Sequence, residues 1–405
     1  MDITSGTTLG PEKTSLGWAH VAWNASYTRT RAGARCLEAA CGCWTREFRS
    51  IGSKNMKVTR RSFLATTGMA AAVGPLVLGT ADKAGLKAPV VGEGDHKYEA
   101  THDWAQLPHN IKYGNTHGVC EDAQGHIYIH HTVHATSDSL DTIVVFDEKG
   151  KFVRSWGKQF KGGAHGLMLR KEGSEEFLYL SDYAHGIVTK RTLKGEEVFT
   201  LGYPVESSAY DKGHNNGLVN YQPTNVAIAP NGDFYVADGY GSSYINQYNK
   251  DAQFIRTFGG PGKGPGQLDC PHGLWVDTRT DSAVLVVADR SNQRLQRFTL
   301  DGKHIDFILG TSKLPCHFHE RNGEVVIPDL WSKVVVLDRD NKLVATLGDG
   351  QYSRDDWNKI RTQERETFVP GKFICPHSAC FDHTGNIFVV EWVEVGRVTK
   401  LRKVA

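Results

Sequence analysis

The chain has 405 residues, with 47 Lys and Arg, 45 Asp and Glu, 43 Gly and 10% aromatic residues, which is the composition of a soluble globular protein rich in turns. Its formal charge of +2 is misleading, because residues 1–81 carry ten basic and four acidic side chains and leave 37 basic against 41 acidic in the remainder. No basic block remains there, so we expect no nucleic-acid partner.

The first 81 residues are predicted to lie outside the mature domain. Residues 56–81, MKVTRRSFLATTGMAAAVGPLVLGTA, have a basic start, an apolar run of small residues and a small-residue end, as a signal peptide has. Arg60 and Arg61 make this segment resemble the bacterial twin-arginine (Tat) export signal; a short buried helix with a chance arginine pair is the alternative. Residues 1–55 are predicted to be an untranslated or disordered extension, with Met56 as the true start.

The export signal predicts a periplasmic or extracellular protein. The partner it implies is the Tat machinery, and once the signal is removed we expect no stable insertion into a membrane. After residue 81 the chain keeps five cysteines, so in an oxidising compartment at least one thiol stays unpaired or pairs with another molecule. These cysteines are Cys120, Cys270, Cys316, Cys375 and Cys380. Two interpretations are open for them: metal ligands, or small buried residues at strand starts.

Residues 115–405 contain six copies of a unit of short strands separated by glycine turns. A period of about 35 to 50 residues built in this way indicates a β-propeller with one four-stranded sheet per copy. The copies begin at His117, His165, Pro223, Pro271, His317 and His377. The last copy has three strands, so we expect residues 82–114 to be a linker that contains a ring-closing strand at Lys97–Leu107.

The fold class predicted is therefore all-β, a six-bladed propeller. Stretches such as VAIAPNGDFYVAD and ADRSNQRLQRF resemble NHL repeats over about residues 115–402. That resemblance implies the fold and says little about function.

Three histidines recur at the start of alternate copies. His165, His272 and His377 are 107 and 105 residues apart, which is two blades. Because the innermost strands of a propeller start at one rim of the central channel, these imidazoles are predicted to converge and to bind zinc with one position open. The alternative is that each ring only bonds backbone at the start of an NHL strand. His117 and His317 begin two other blades. Three roles are open for them: hydrogen-bond donors to the ligands, capping residues, or members of a different ligand set.

Five short motifs resemble the lyase domain of the peptide-amidating enzyme, peptidyl-α-hydroxyglycine α-amidating lyase. They are AHGL at His165, ADGY at Tyr240, PHGL at His272, ADR at Arg290 and PHS at His377. The resemblance implies that the three histidines hold zinc, that Tyr240 is the base and that Arg290 lies in the site. It also implies cleavage of a C-terminal hydroxyglycine into a peptide amide and glyoxylate. Without it, Tyr240 would pack on a blade and Arg290 would pair with an acid, either Asp289 or Asp238.

The sequence departs from that family in three places. The family has an arginine in blade 1, where Ile127–Asp138 holds none and has His130, His131 and His134 instead. It has an aspartate for structural calcium after the third histidine, where this chain has Ser378, which argues against calcium. The family's disulfide cysteines beside the tyrosine and arginine motifs are also absent.

Two long connections on the histidine rim are predicted to form the pocket wall. They are Tyr203–Tyr221 and Asp349–Phe373. The second connection contains Arg354, Arg361 and Arg365. These arginines either replace the charge of the arginine missing from blade 1 or lie on a solvated helix.

The function predicted is that of an exported, zinc-dependent, lyase-like propeller acting on a small-molecule or peptide-like substrate. Two alternatives stay open. One is a non-enzymatic periplasmic NHL propeller that binds a ligand or protein, and the other is a metal-dependent hydrolase.

Overall fold

The computed structural model describes residues 88–211, 219–351 and 354–404. The predicted extension, the signal peptide and the first residues of the linker lie outside these ranges. The described strands form six antiparallel sheets in chain order, so the six-bladed propeller is confirmed. In each blade the first strand is innermost and later strands lie successively further from the axis.

The strands have the following bounds. Ahead of the repeats lie β1 (Val90–Val91) and β2 (Tyr98–His102). Blades 1 to 3 comprise β3 (Thr116–Glu121), β4 (Ile127–His131), β5 (Ile143–Phe146), β6 (Phe152–Trp156), β7 (Ala164–Glu172), β8 (Glu175–Asp182), β9 (Ile187–Thr192), β10 (Glu197–Leu201), β11 (Asn225–Ile228), β12 (Phe234–Ala237), β13 (Tyr244–Tyr248) and β14 (Phe254–Gly259). Blades 4 to 6 comprise β15 (Pro271–Asp277), β16 (Val284–Asp289), β17 (Arg294–Thr299), β18 (His304–Ile308), β19 (His319–Arg321), β20 (Glu324–Asp329), β21 (Lys333–Leu337), β22 (Leu343–Leu347), β23 (Pro376–Phe381), β24 (Ile387–Glu391) and β25 (Arg397–Lys403).

Helices in the described residues are short and lie in connections. Three are 3-10 turns, at Lys158–Phe160, Ser208–Tyr210 and Arg365–Thr367. The α-helix α1 (Arg354–Ile360) lies in the connection between blades 5 and 6. Within the described ranges, no helix is both long and apolar enough to cross a bilayer.

The hydrophobic core is divided among the junctions between blades. Middle strands such as β5, IVVF, are buried along their whole length, whereas outer strands such as β6, FVRSW, are only partly covered. Six clusters each join two neighbouring blades; between blades 5 and 6, for example, Val336 packs in one cluster with Val389. Because apolar side chains fill the space between sheets, the axis is left to the polar residues at the ends of the innermost strands.

The ring is closed by the N-terminal strand. β2 pairs antiparallel with β25, from Tyr98 opposite Lys403 to His102 opposite Thr399, and β1 adds a short fifth strand outside it. This confirms the predicted closure, although the strand is shorter than Lys97–Leu107. The difference arises because Asp103 has a φ of 52°, which ends the extended backbone. The chain then turns so that Trp104 packs at the junction of blades 6 and 1.

Replacing Tyr98 with Ala is expected to lower the free energy of unfolding by about 3 kcal/mol, as other buried aromatic truncations do. The Tyr98 side chain is 1% exposed and belongs to the cluster between blades 5 and 6. Thr101→Ala is the matched control, since Thr101 is exposed on the same strand. Urea unfolding measures both variants; equal stability of the two would contradict this account of ring closure.

Candidate metal centre

Each of the three predicted ligands is the second residue of an innermost strand, at a β-bulge. The pairing register shifts by one residue just after Ala164 in β7, Pro271 in β15 and Pro376 in β23. A bulge adds a residue to one strand and redirects its side chain. The bulge in each case includes the histidine, at His165, His272 and His377, and all three side chains are buried.

The glycine after two of these histidines allows neighbouring innermost strands to approach closely. A Cβ atom on Gly166 would lie 2.5 Å from the carbonyl oxygen of Thr224, and one on Gly273 would lie 2.6 Å from that of Cys316. Both oxygens belong to the next blade. The His-Gly pair in AHGL and PHGL is therefore explained by backbone contact between adjacent blades.

Backbone carbonyls of the next blade fix the tautomer of the three imidazoles. His165 Nδ1 lies 2.7 Å from the Thr224 oxygen, His272 Nδ1 lies 2.7 Å from the Cys316 oxygen, and His377 Nδ1 lies 2.9 Å from the oxygen of His117. A carbonyl only accepts, so each Nδ1 carries the proton and donates it to the next blade. Each Nε2 is then left with a lone pair, as a metal ligand requires.

Burial keeps these rings neutral. It is the main cause that lowers the pKa of His165 to about 3, and it holds the pKa values of His272 and His377 well below the usual 6.5. The positive charge of Arg290 adds to the effect on all three. Neutral imidazoles are the form that binds a metal ion, so the centre needs no proton release before binding.

The three rings surround one point. Their centroids are 4.8 Å apart between His165 and His272, and 4.7 Å apart in each of the pairs that include His377. His117, for which the sequence left several roles open, is a neighbour of this group, with its ring centroid 4.7 Å from that of His165 and 4.4 Å from that of His377. Among the described residues, two groups have ligand atoms within 4.8 Å of one another: His117 with His165 and His377, and His272 with Cys316 and His377. The predicted trio is therefore divided between two groups that share His377, with His165 in one and His272 in the other.

Tyr240 brings a further lone pair to this point. Its hydroxyl oxygen lies 3.1 Å from His165 Nε2 and 3.0 Å from His272 Nε2. Both nitrogens are acceptors, and the hydroxyl has one proton, so it satisfies only one of them. An excess of lone pairs over protons in a buried site is what a cation would relieve, and the donor set therefore fits a metal ion.

Arg290 lies against Tyr240 and pairs with no acid among the residues described. Its Nη1 is 3.4 Å from the Tyr240 hydroxyl, and its guanidinium carbon is 5.2 Å from the centre of that ring. The acids considered as alternative partners bind elsewhere: Asp289 pairs with Arg294, and Asp238 accepts from Tyr210. The Arg290 guanidinium thus lies beside the imidazole cluster without an acidic partner among the described residues.

The two sulfur atoms that contact Arg290 belong to Cys270 and Cys316. The Sγ atoms lie 3.0 Å and 3.9 Å from the guanidinium nitrogens. Cys120, Cys316, Cys375 and Cys380 are buried, and Cys270 is partly exposed. Burial raises the pKa of Cys316 to about 12, so in the metal-free protein its thiol is protonated and the neutral imidazoles are the better ligands.

Sequence reasoning missed a set of side chains that hold the segment leading into each innermost strand. In four blades an acid at the end of the second strand, or in blade 3 just after it, accepts a hydrogen bond from the backbone N–H three residues before the rim position, at 2.6–2.9 Å. The acids are Asp238, Asp289, Asp329 and Glu391. His131 accepts the equivalent bond in blade 1, at 3.3 Å from Gly114. The only signal in sequence was the recurring acid itself.

The departures in blade 1 and in the second long connection are placed as follows. His130 and His131 are buried in blade 1, and His134 caps its own turn by hydrogen bonding with Thr136. The guanidinium carbon of Arg361 lies 3.6 Å from the centre of the Trp392 ring. The charge of Arg361 is among the causes that lower the pKa of His117. Arg365 instead pairs with Asp103.

Ser378, which stands where the resemblance would place a calcium ligand, is buried in β23. Its hydroxyl has no hydrogen-bond partner among the described residues. Serine brings no negative charge to such a site.

The sequence is similar to curated proteins of two kinds. It is 30% identical to peptidyl-glycine alpha-amidating monooxygenase A of Xenopus laevis over 234 residues, 52% of this chain and 24% of that protein. It is 30% identical to peptidyl-alpha-hydroxyglycine alpha-amidating lyase 1 of Drosophila melanogaster, over 47% of this chain and 38% of that protein. It is 28% identical to NHL repeat-containing protein 3 of Homo sapiens, over 49% of this chain and 55% of that protein. The chain thus spans less than two thirds of each of these relatives.

Among solved structures, the chain is similar to a streptogramin B lyase with a TM-score of 0.50 and 13% identity, over 75% of this chain and 97% of that one. At that identity the likeness concerns the fold alone. No family model matches the sequence. Distant relatives of this propeller thus include amidating lyases and NHL-repeat proteins, as the sequence motifs indicated.

The stability of the metal-free protein is expected to fall as the pH is lowered from 7 to 5. An unfolded histidine binds a proton below about pH 6.5, whereas folded His165 stays neutral to about pH 3. The unfolded state therefore binds more protons in this window, and acid favours unfolding. Removing this imidazole in His165→Asn should reduce the loss at pH 5 by roughly 2 kcal/mol. Urea unfolding at both pH values is the measurement, and an unchanged pH dependence in the variant would contradict the assigned pKa.

Proposed function

We propose that this protein is a zinc-dependent lyase that cleaves peptidyl-α-hydroxyglycine-type substrates into an amide and glyoxylate. The observation that supports this most directly is the contact of Tyr240 with two imidazoles and one guanidinium, at 3.0, 3.1 and 3.4 Å. A potential base thus lies between a group of metal-type ligands and a cation. The relatives that bear the lyase name support the same reaction class.

Zinc would be held by the Nε2 atoms of His165, His272 and His377. Three neutral imidazoles are a ligand set typical of catalytic zinc, and here each is oriented by a backbone carbonyl of the next blade. When bound, the ion supplies positive charge that favours the loss of a proton from a nearby hydroxyl.

Tyr240 is the proposed base. Burial raises the pKa of its phenol, and the charge of Arg290 lowers it by less, so the metal-free protein holds a neutral tyrosine. A second positive charge at the imidazoles is therefore needed to make the tyrosinate accessible at neutral pH. The tyrosinate then takes the proton of the substrate hydroxyl while the carbon–nitrogen bond breaks. The hydroxyl carbon becomes the aldehyde of glyoxylate, the electron pair of the broken bond stays on the amide nitrogen, and that nitrogen receives the proton that Tyr240 took up, which restores the tyrosinate.

Arg290 is proposed to bind the carboxylate of the hydroxyglycine. Its guanidinium contacts the Tyr240 hydroxyl, so an anion bound to it lies beside the base. Arg361, on the connection between blades 5 and 6, adds positive charge on the side of the imidazole cluster that carries His117. Two guanidinium groups then favour a substrate with a free C-terminal carboxylate.

We also propose that the mature propeller works outside the cytoplasm after Tat export. The support is the sequence at residues 56–81, with its arginine pair and small-residue end. Edman sequencing of protein secreted by a bacterial host is expected to show a new N-terminus after Ala81; an uncleaved chain retained in the cytoplasm would contradict export.

Tyr240→Phe should reduce glyoxylate release from a peptidyl-α-hydroxyglycine by about 100-fold or more, the usual effect of losing a general base. Zinc content and thermal unfolding should stay as in the parent, because the ring is kept. Tyr235→Phe is the control: it also removes a buried hydroxyl, which donates to Leu300 at 2.7 Å away from the imidazole cluster. Full glyoxylate release by Tyr240→Phe would show that the base is another group.

Arg290→Gln should raise KM for a substrate with a free carboxylate by about tenfold or more, and should change KM for its C-terminal amide analogue far less. Steady-state kinetics on the two substrates separates recognition of the anion from a general loss of the fold. Arg256→Gln, at an exposed arginine of blade 3, is the control. Equal losses on both substrates would mean that Arg290 does not recognise the carboxylate.

A further inference from the structure

His117 occupies in blade 1 the position that the three predicted ligands occupy in blades 2, 4 and 6. It is the second residue of β3, it is buried, and the pairing register shifts just after Thr116, so a bulge lies here as well. The centroid of its ring lies 4.7 Å from that of His165 and 4.4 Å from that of His377. These distances are no longer than the 4.7 to 4.8 Å within the predicted trio. Position and local backbone therefore place it with the ligands.

The separation of two ring nitrogens is the decisive distance. His117 Nδ1 lies 3.3 Å from His377 Nε2. Two nitrogens that each lie 2.0 to 2.1 Å from one tetrahedral zinc ion are about 3.3 to 3.4 Å apart. The pair is thus already at the spacing of two donors that share an ion.

The tautomer of His377 leaves two states for His117. Since His377 Nδ1 donates to the carbonyl of His117, its Nε2 carries a lone pair. Without metal, His117 Nδ1 must hold the proton and donate it to that lone pair. When His377 Nε2 binds an ion, this hydrogen bond is lost, and transfer of the proton to Nε2 of His117 leaves Nδ1 as a donor to the same ion.

We propose that His117 is a fourth imidazole ligand of the metal centre, bound through Nδ1 beside His165, His272 and His377. This inference rests on the metal centre of the proposed function and not on its lyase reaction. It assigns to His117 the coordination position that three-histidine zinc sites leave for water or substrate. The centre is then closed at rest, and His117 must leave the ion before a substrate oxygen can replace it.

His317 provides a matched control. It holds the equivalent place in blade 5 and is buried, but it forms no ring contact with the four clustered imidazoles in the described structure. Asparagine is the natural substitute, because Asn225 fills this place in blade 3. The informative variants are therefore His117→Asn and His317→Asn.

The test is the coordination of zinc and cobalt, with no activity measured. X-ray absorption at the zinc edge of the unmodified protein should fit four imidazoles. Cobalt-loaded His117→Asn should show a changed visible absorption spectrum. Its zinc affinity, measured by chelator competition, should fall by about 100-fold or more, beyond the loss of an outer hydrogen-bond partner. His317→Asn should keep the parent spectrum and affinity.

Three imidazoles in the parent, together with an unchanged cobalt spectrum in His117→Asn, would overturn the proposal even if affinity fell, because His117 would then only support His377. Absence of metal binding in the parent would overturn it as well. If His117→Asn does not fold, the count in the unmodified protein decides alone. Absence of lyase activity would count against the proposed reaction and leave this assignment intact.

Discussion

The site depends on the hydrogen bond that each of the three predicted ligand imidazoles donates to the backbone of the next blade. Three such bonds, from His165, His272 and His377, run the same way around the ring at 2.7 to 2.9 Å. Each fixes a ring orientation, places the proton on Nδ1 and leaves Nε2 free. The bond requires adjacent innermost strands to approach closely, which a glycine permits at two of the three positions. Ligand geometry and blade packing are therefore the same constraint.

Much of the architecture was predictable from sequence because a propeller repeats. The six copies with glycine turns predicted six blades. Because the last copy lacks a strand, a closing strand was also predicted, and it lies at Tyr98–His102. The interval of two blades likewise predicted that His165, His272 and His377 converge. What the spacing could not show was the set of bulges, because a one-residue register shift depends on pairing between strands.

The finer composition of the site was also hidden. The sequence left His117 with several roles, since the register shift at this residue arises from strand pairing, which the sequence does not show. Some acids, such as Asp289 and Glu391, accept hydrogen bonds from backbone N–H groups. In the sequence they cannot be told from other acids at strand ends. Arg290 contacts no acid among the described residues, and Asp289 pairs with Arg294 instead, a choice that adjacent sequence letters do not reveal. Fold follows from the repeat, whereas chemistry follows from contacts between blades.

The central claim is that the clustered imidazoles of this propeller bind one metal ion. Calorimetric titration of the metal-free protein with zinc tests it most directly. One ion per chain is expected to bind, with affinity lowered by about 100-fold or more in His272→Asn, since that substitution removes a ligand. No binding by the parent protein, or equal affinity in a folded His272→Asn variant, would contradict it.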